Sequence, residues 1–322
     1  MRYRQILTPL SILPIFLFFE ENTEGSCFYF YFCRRIKIIH VEIKNIMQLY
    51  DQIQEAISYI HSFVAFEPKI GIILGTGLGN LTDDLLIAYE FDYADIPHFP
   101  VSTVKSHKGK LIFGYLEGKA VVVMAGRFHY YEGYSMQQVT FPVRVMKFLG
   151  VETLIVTNVA GSTNGDIEAG DIVFVRDHVN LHPENPLRGE NDERLGVRFP
   201  DMLETYDKKL ISSGLRIAER HRIRATSGVY VALQGPNLET PAEYSFVNRI
   251  GGDLIGMSTV PEVLVARHSG LRLLVISVVS NKCFPIEEIK PTTLESVIAI
   301  ATKAEIKMRL IVKELMKLND EI

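Results

Sequence analysis

The sequence predicts an α/β protein whose single domain is a twisted mixed β-sheet flanked by helices on both faces. Apolar segments rich in β-branched residues alternate along the chain with segments of helical period. Few of the apolar segments alternate with polar residues, which is typical of strands that are buried on both sides. No repeat, low-complexity tract or long linker interrupts residues 47–322, so one domain is expected there.

The strands are predicted at the apolar, β-branched runs. In chain order these runs cover residues 70–74, 120–124, 151–157, 172–175, 229–233 and 271–279. Helical periodicity predicts helices at residues 136–149, 206–219, 241–250, 261–268 and 294–318. One stripe of the last helix collects apolar side chains, as expected of a helix packed on a sheet: Leu294, Val297, Ile298, Ala301, Ala304 and Met308.

Composition and charge narrow the classes of function. The chain has 322 residues, 47% of them hydrophobic, which is enough to bury a large core. A formal net charge of -4, from 34 basic and 38 acidic residues, argues against nucleic acid as a partner. Of the three cysteines, Cys27 and Cys33 lie near the N-terminus and only Cys283 lies in the predicted domain. No disulfide framework is expected there, so we predict a protein of the reducing cytoplasm.

The first 46 residues differ in character from the rest and read LTPLSILPIFLFF, CFYFYFC and RRIKIIH in turn. As a signal peptide, the segment has prolines in its apolar run and no small-residue cleavage site after it. As a membrane span it is too short, because about 20 apolar residues are needed. We favour a segment outside the fold and predict no membrane partner, with an export or tethering signal as the alternative. The domain then begins at Met47, which opens the amphipathic stretch MQLYDQIQEAISYIHSFV.

The first predicted strand ends in a glycine-rich loop, GTGLG at residues 75–79. Glycines let the backbone turn tightly, so that amides and the Thr76 hydroxyl can face an anion. The loop is therefore a candidate phosphate cradle, although a plain turn fits the spacing equally well. It falls short of the dinucleotide-binding pattern, because Asn80 stands where that pattern requires a third small residue.

A segment of polar and aromatic residues, GRFHYYEGY at 126–134, follows the strand predicted at 120–124. Ligands of α/β sheets bind at the ends of strands. A guanidinium, an imidazole and several phenols are poor core residues, because each polar group would need a buried partner. Arg127 can instead bind a phosphate with two hydrogen bonds, and His129 can add a donor that titrates near neutral pH.

Two further strand ends carry weaker signals. The stretch VTNVAGS at 156–162 presents small residues where a backbone can approach a ligand closely. Glu239 follows the strand predicted at 229–233, and its carboxylate could accept hydrogen bonds from a nitrogen heterocycle. It could equally be an acidic residue at the N-terminus of the helix that begins at Pro241, and spacing alone favours that role.

The last candidates are Ser258 and Asn281. Ser258 could cap the helix that follows it or donate to a phosphate at that helix N-terminus, and both roles could hold together. Asn281 follows the strand predicted at 271–279. Its amide offers a donor and an acceptor, which suit the imidazole-side nitrogen and the carbonyl oxygen of a purine.

Taken in this order, the segments closely resemble the trimeric purine nucleoside phosphorylases, over nearly the whole chain from Met47 onward. Further matching segments are STV at 102–104 with His107, FPVRV at 141–145, NPLRG at 185–189, NDER at 191–194 and residues 256–267. The resemblance implies a nucleoside phosphorylase fold and the cleavage of purine (deoxy)ribonucleosides such as inosine and guanosine by phosphate. The products would be the free base and (deoxy)ribose 1-phosphate, as in purine salvage. Phosphate would be a co-substrate, and neither a metal nor a cofactor is implied.

The resemblance also assigns roles to residues. The implied phosphate-binding residues are Thr76, His107, Arg127, His129, the backbone at Val159, and Ser258. The implied nucleoside-binding residues are Tyr131, Phe199, Tyr230, Leu238, Glu239, Met257 and Asn281. Phe199 would reach in from a neighbouring subunit of a homotrimer, and the implied catalytic residues are Asn281, Glu239 and His129. Asn281 would stabilise the departing purine while Glu239 orients it, because negative charge develops on the base and positive charge on the sugar.

Two departures from the family pattern bear on specificity. Leu238 stands where a phenylalanine is common, so aromatic stacking on the base is lost. Leu294 stands near the position of a histidine that contacts the terminal hydroxyl of the sugar, and an apolar group there could admit a less polar substituent.

Three other functions compete with this one. The first is methylthioadenosine phosphorylase, which has an aspartate where this chain has Asn281; Asn281 beside Lys282 favours 6-oxopurines instead. The second is a nucleoside-binding protein without catalysis, delivered to an envelope by the unusual N-terminus. The third is a dinucleotide-dependent oxidoreductase, which lacks the expected acidic residue about 20 positions beyond the glycine loop.

Overall fold

The computed structural model describes residues 48–103 and 108–318. The N-terminal 46 residues, Met47 and His107 lie outside the described residues. The predictions for the N-terminal segment, for the domain boundary and for His107 therefore stay predictions. Among the helices in the described ranges, none is both long enough and apolar enough to cross a membrane.

The described strands form one mixed sheet of nine strands. In chain order they are β1 (Ile70–Ile73), β2 (Leu86–Asp92), β3 (Lys110–Leu116), β4 (Lys119–Ala125), β5 (Thr153–Ser162), β6 (Ile172–Asn180), β7 (Ala225–Ala232), β8 (Leu254–Gly256) and β9 (Arg272–Lys282). Their order across the sheet is β2-β3-β4-β1-β5-β8-β7-β6-β9. β1 is parallel to β4 and β5, whereas β2, β3 and β4 are antiparallel neighbours. The predicted mixed sheet is confirmed.

One half of the sheet closes on itself. β9 pairs with β6 and also, in parallel, with β5. β8 joins β5 to β7, so β5, β8, β7, β6 and β9 form a ring. Closure leaves these strands without a free edge, and it gathers several strand ends around one opening.

A β-bulge lies where β5 and β9 run past the ends predicted for them. Ala160 pairs with Val279, but the next pair joins Gly161 to Asn281, so Ser280 is an extra residue on β9. A bulge of this kind changes the direction of the side chains that follow it. Asn281 thus belongs to a strand, not to the loop after it as the sequence predicted.

Six helices accompany the sheet in the described residues: α1 (Leu49–His61), α2 (Met136–Phe148), α3 (Lys208–Arg220), α4 (Pro241–Arg249), α5 (Val260–His268) and α6 (Leu294–Met316). The five predicted helices are confirmed with ends shifted by one to a few residues. Four of the helices begin at side-chain caps, which are Ser135, Asp207, Thr240 and Thr293. Asp207, for example, accepts hydrogen bonds from the amides of Lys209 and Leu210, which is why α3 begins two residues later than predicted.

The sequence analysis missed β2, β3 and β8. β2 pairs only with β3 at the edge of the sheet, and most of its side chains are exposed or half-buried, so it lacks a continuous apolar run. β3 contains Gly114, which interrupts its apolar run. The strand requires glycine there, because a Cβ would come within 2.4 Å of the carbonyl oxygen of Leu86. β8 has only three residues, too few to show any period.

Candidate active site

A cavity of about 410 Å³ opens at the carboxyl ends of β1, β4, β5 and β9, and the N-terminal turn of α6 contributes to its wall. Ligands of α/β sheets bind at such ends. The predicted site residues that line it are Thr76, Arg127, His129, Tyr131, Val159, Leu238, Glu239, Met257, Ser258 and Asn281. The topology thus brings side chains from widely separated segments to one space.

Arg127 is the most deeply buried cation of the cavity, with 1% of its surface exposed. Its Nη1 donates to the hydroxyls of Ser258 at 2.9 Å and Thr259 at 3.0 Å, and its Nη2 donates to the carbonyl of Thr157 at 2.6 Å. Its Nε lies 3.5 Å from Oε1 of Glu262, whose side chain is also buried. The guanidinium is therefore held in one orientation, and its partners include the Ser258 hydroxyl, which an anion can replace.

Thr259 holds this arrangement together in a strained backbone conformation. Its φ is 72°, a region that non-glycine residues rarely adopt. Its hydroxyl accepts hydrogen bonds from Arg127 and, at 3.0 Å, from Nδ2 of Asn158. Strain of this kind costs about 1–3 kcal/mol and is concentrated at functional sites. Thr259 is also the N-cap of α5, so the role of helix cap suggested for Ser258 is wrong.

His129 is oriented by a carboxylate that the sequence analysis did not single out. The imidazole Nδ1 lies 2.9 Å from Oε1 of Glu132. Burial raises the pKa of Glu132, but hydrogen bonds from His129 and Thr103 outweigh burial and lower it to about 2. Because this carboxylate can only accept, Nδ1 carries a proton and donates to it. The ring stacks on Tyr131, with centroids 4.6 Å apart and planes within 16°.

The remaining polar lining consists of Glu239, Tyr244, Asn281 and Cys283, which we call the amide-carboxyl cluster. The Asn281 amide is held on both sides. Its Oδ1 accepts from the Ser280 hydroxyl at 2.6 Å, and its Nδ2 donates to Sγ of Cys283 at 3.0 Å. Burial raises the pKa of Cys283 to about 12, so the group is a thiol at neutral pH.

Glu239 lies in the loop after β7, and burial raises the pKa of its carboxyl, while hydrogen bonding from the Tyr244 phenol acts in the opposite direction. Spacing favoured another role for it, an acidic residue at the N-terminus of α4, but other residues form the cap of that helix. Thr240 caps that helix, and Glu243 completes the capping box by accepting from the Thr240 amide at 2.7 Å. Glu239 is thereby left to face the cavity.

Two of the predicted nucleoside-binding residues do not line the cavity. Tyr230 is fully buried behind the wall, since a Cβ on Gly256 would come within 2.2 Å of its hydroxyl. Phe199 is 86% exposed and lines a separate surface depression of about 380 Å³. Leu294, predicted to pack on the sheet, is 60% exposed and lines the cavity at the start of α6.

Several lining residues were missed, namely Asn158, Tyr244, Cys283, Thr293 and Val297. Asn158 is buried, and its amide oxygen has no hydrogen-bond partner within residues 48–103 and 108–318. It is therefore a candidate acceptor for a substrate hydroxyl. The signal was present, because an asparagine inside an otherwise apolar strand needs a partner. Tyr244 gave no such signal, since its spacing on α4 is that of a core residue.

The chain is similar to known proteins over most of its length. The model of the Phosphorylase superfamily matches residues 69–317. The chain is 50% identical over 265 residues to purine nucleoside phosphorylase 1 of Geobacillus stearothermophilus, covering 82% of this chain and 96% of that protein.

The chain is also similar in structure to solved purine nucleoside phosphorylases. Isoform 2 of the Schistosoma mansoni purine nucleoside phosphorylase, in complex with cytosine and ribose-1-phosphate, has a TM-score of 0.80 at 38% identity. That match covers 84% of this chain and 97% of the other. The purine nucleoside phosphorylase of the same organism in complex with inosine has a TM-score of 0.79 at 38% identity, with coverage of 84% and 97%.

Proposed function

The chain belongs to the purine nucleoside phosphorylase family, and from this premise we propose that its cavity binds inorganic phosphate and a purine nucleoside side by side. The enzyme is a pentosyltransferase: phosphate replaces the purine on the sugar, giving the free base and (deoxy)ribose 1-phosphate. The observation that carries the proposal is the buried Arg127 guanidinium, which lines one cavity together with Asn281 and Glu239.

Phosphate binds, on this proposal, at the cationic cluster, which we define as Arg127, His129 and Ser258 with Thr76 and the backbone of Val159. Arg127 offers a guanidinium of fixed orientation, and phosphate can replace Ser258 as a partner of its Nη1. His129 donates through its second ring nitrogen, Nε2, when the ring carries both protons, because Nδ1–H already donates to Glu132. Ser258 lies just before the N-terminus of α5, where backbone amides favour an anion. His107, which the family resemblance implies, completes the proposed set.

The reaction needs electrostatic help at both ends of the bond that breaks. Positive charge develops on the sugar, and the bound phosphate lies next to it as anion and nucleophile. Negative charge develops on the purine, and the Asn281 amide stabilises it where the base gains electron density and a proton. The side-chain bonds of Ser280 and Cys283 orient that amide in advance, so less reorganisation is needed in the transition state.

Substrate preference is proposed to follow from the same amide. An amide can accept from a protonated ring nitrogen and donate to a 6-oxo group, so inosine and guanosine fit better than adenine nucleosides. The Glu239 carboxylate accepts from the other edge of the base. Tyr131 and Met257 flank the sugar, and Tyr230 supports the wall from behind Gly256.

The decisive experiment measures cleavage of inosine and guanosine by the full chain with and without phosphate. We expect ribose 1-phosphate to form only when phosphate is present, and inosine to react faster than methylthioadenosine. Asn281→Asp should shift the preference toward adenine nucleosides, because a carboxylate accepts from an amino group. Binding of inosine without any cleavage, or faster cleavage of methylthioadenosine, would overturn the proposal.

We also propose that the protein is a homotrimer and that it is located in the cytoplasm. Phe199 presents an almost fully exposed ring, which a second subunit can bury. Family resemblance points to the neighbour's nucleoside site as its position. Phe199→Ala should then raise KM for inosine and leave KM for phosphate unchanged, while sedimentation of the wild-type protein should report three subunits.

A further inference from the structure

A buried carboxylate on α6 reaches the glycine loop from outside the cavity. Glu305 is 1% exposed. Its Oε1 accepts from the backbone amide of Asn80 at 2.6 Å, and its Oε2 accepts from the side-chain amide of Asn80 at 2.6 Å. One carboxylate thus satisfies two donors of one residue, and each of the bonds is charge-assisted.

The same helix contacts the loop one turn earlier. Gly77 has a φ of +71°, and a Cβ placed there would come within 2.9 Å of Cβ of Ala301. Ala301 and Glu305 are four residues apart, so they lie on one face of α6. One turn before Ala301 on that face is Val297, which lines the cavity.

This face therefore supports the glycine loop at two points on either side of Leu78. Packing at Gly77 fixes how closely the loop approaches the helix, and the bonds at Asn80 fix its rotation, because two donors must meet two oxygens. Thr76, immediately before Gly77, lines the cavity. The position of Thr76 relative to Arg127 and His129 is thus set by contacts that no substrate touches.

We propose that Glu305 and Asn80 are positioning residues for phosphate, holding the glycine loop in the conformation that brings Thr76 to the anion. The inference rests on the proposed function, in which Thr76 belongs to the phosphate site. It concerns residues that touch neither phosphate nor nucleoside, and it explains why a buried acid lies on a helix face that is otherwise apolar.

The test is Glu305→Gln in the full chain. Glutamine offers one acceptor and one donor group, so the Asn80 side chain must turn over to accept from it, and both bonds lose their charge assistance. We expect KM for phosphate to rise about tenfold, the scale of one charge-assisted hydrogen bond. KM for inosine and kcat at saturating phosphate should stay within about twofold.

Two variants sharpen the test. Asn80→Ala combined with Glu305→Gln tests whether the two residues act through one contact, in which case KM for phosphate should rise by less than the product of the two single effects. Glu314→Gln is the matched control on α6, because Glu314 pairs with Arg220 at 2.7 Å, far along the helix from the loop. It should leave KM for phosphate unchanged.

The outcomes separate this inference from the proposed function. If wild-type enzyme needs no phosphate, the proposed function fails. If wild-type enzyme needs phosphate but Glu305→Gln changes both KM values equally, or only lowers the thermal midpoint, the positioning role is wrong. Should Glu305→Gln fail to fold, Asn80→Ala, which keeps the backbone bond to Glu305, decides by the same split between the two KM values.

Discussion

The cationic cluster and the amide-carboxyl cluster share one cavity but differ in how the protein holds them. Arg127 is almost wholly buried, and hydroxyls, a carbonyl and a carboxylate fix its orientation. The other cluster has apolar neighbours that are largely open to solvent, since Leu238 is 51% exposed and Leu294 is 60% exposed. Phosphate, which is the same in every reaction, therefore meets a prebuilt site. The parts that vary between nucleosides meet the exposed apolar side chains of Leu238 and Leu294, which we call the adjustable wall.

This difference follows from charge. An anion loses strong hydration on entering a cavity, so donors that are already oriented are needed to offset that loss. A purine is flat and mostly apolar, and a few polar contacts with a movable apolar wall suffice to bind it. We therefore expect substitutions in the cationic cluster to change rates far more than substitutions in the wall.

Arg127→Ala tests the largest expected effect. We expect kcat/KM for phosphate to fall by about 10³-fold, because the fixed donors of the anion site are lost. The protein should also be destabilised, by about 3–5 kcal/mol, because the buried Glu262 carboxylate loses its cation. Steady-state kinetics and thermal unfolding measure the two effects separately.

The paired variant Arg127→Ala with Glu262→Gln serves as the control for that prediction. Removing the orphaned charge should restore much of the stability but none of the activity. If activity returned along with stability, Arg127 would be a structural residue, and the contrast between the two clusters would be broken.

Glu132→Gln tests an intermediate effect on the same cluster. Glutamine has no charge to stabilise a ring that carries both protons, so the Nε2 donor to phosphate is weakened and we expect kcat/KM to fall by about 10- to 100-fold. Tyr130→Phe is the matched control, since it lies in the same turn but outside the cavity lining. Equal losses in both variants would show that the turn, not the carboxylate, matters.

The same variant makes a pH prediction. The folded pKa of Glu132 is about 2, below its ordinary value of 4.5. Its ionised form therefore contributes stability that is present above about pH 4.5 and is lost as pH falls toward 2. Acid titrations followed by circular dichroism should show wild-type protein losing more stability than Glu132→Gln across that window, and parallel curves would contradict the assignment.

Whether a site residue could be predicted from the sequence depends on where it lies in the fold. Arg127 and Asn281 were predictable because polar residues next to apolar strands collect at one edge of an α/β sheet. Ring closure and the bulge at Ser280 were not, because strand partners are set by packing across the whole chain. The role of Glu305 could not be predicted for another reason. It lies among apolar residues of helical period, and its partner Asn80 is far away in sequence.

Leu294→His tests the smallest expected effect, in the adjustable wall. An imidazole at the start of α6 can donate to the terminal hydroxyl of a nucleoside sugar, so kcat/KM for inosine should rise about threefold to tenfold. Nucleosides with an apolar group in place of that hydroxyl should react more slowly by a similar factor, because the imidazole would then be desolvated without a partner. Leu294→Met keeps the apolar contact and should leave the ratio between the two substrates unchanged. If Leu294→His instead altered KM for phosphate, the wall and the cationic cluster would be coupled, and their separation into a fixed and an adjustable part would not hold.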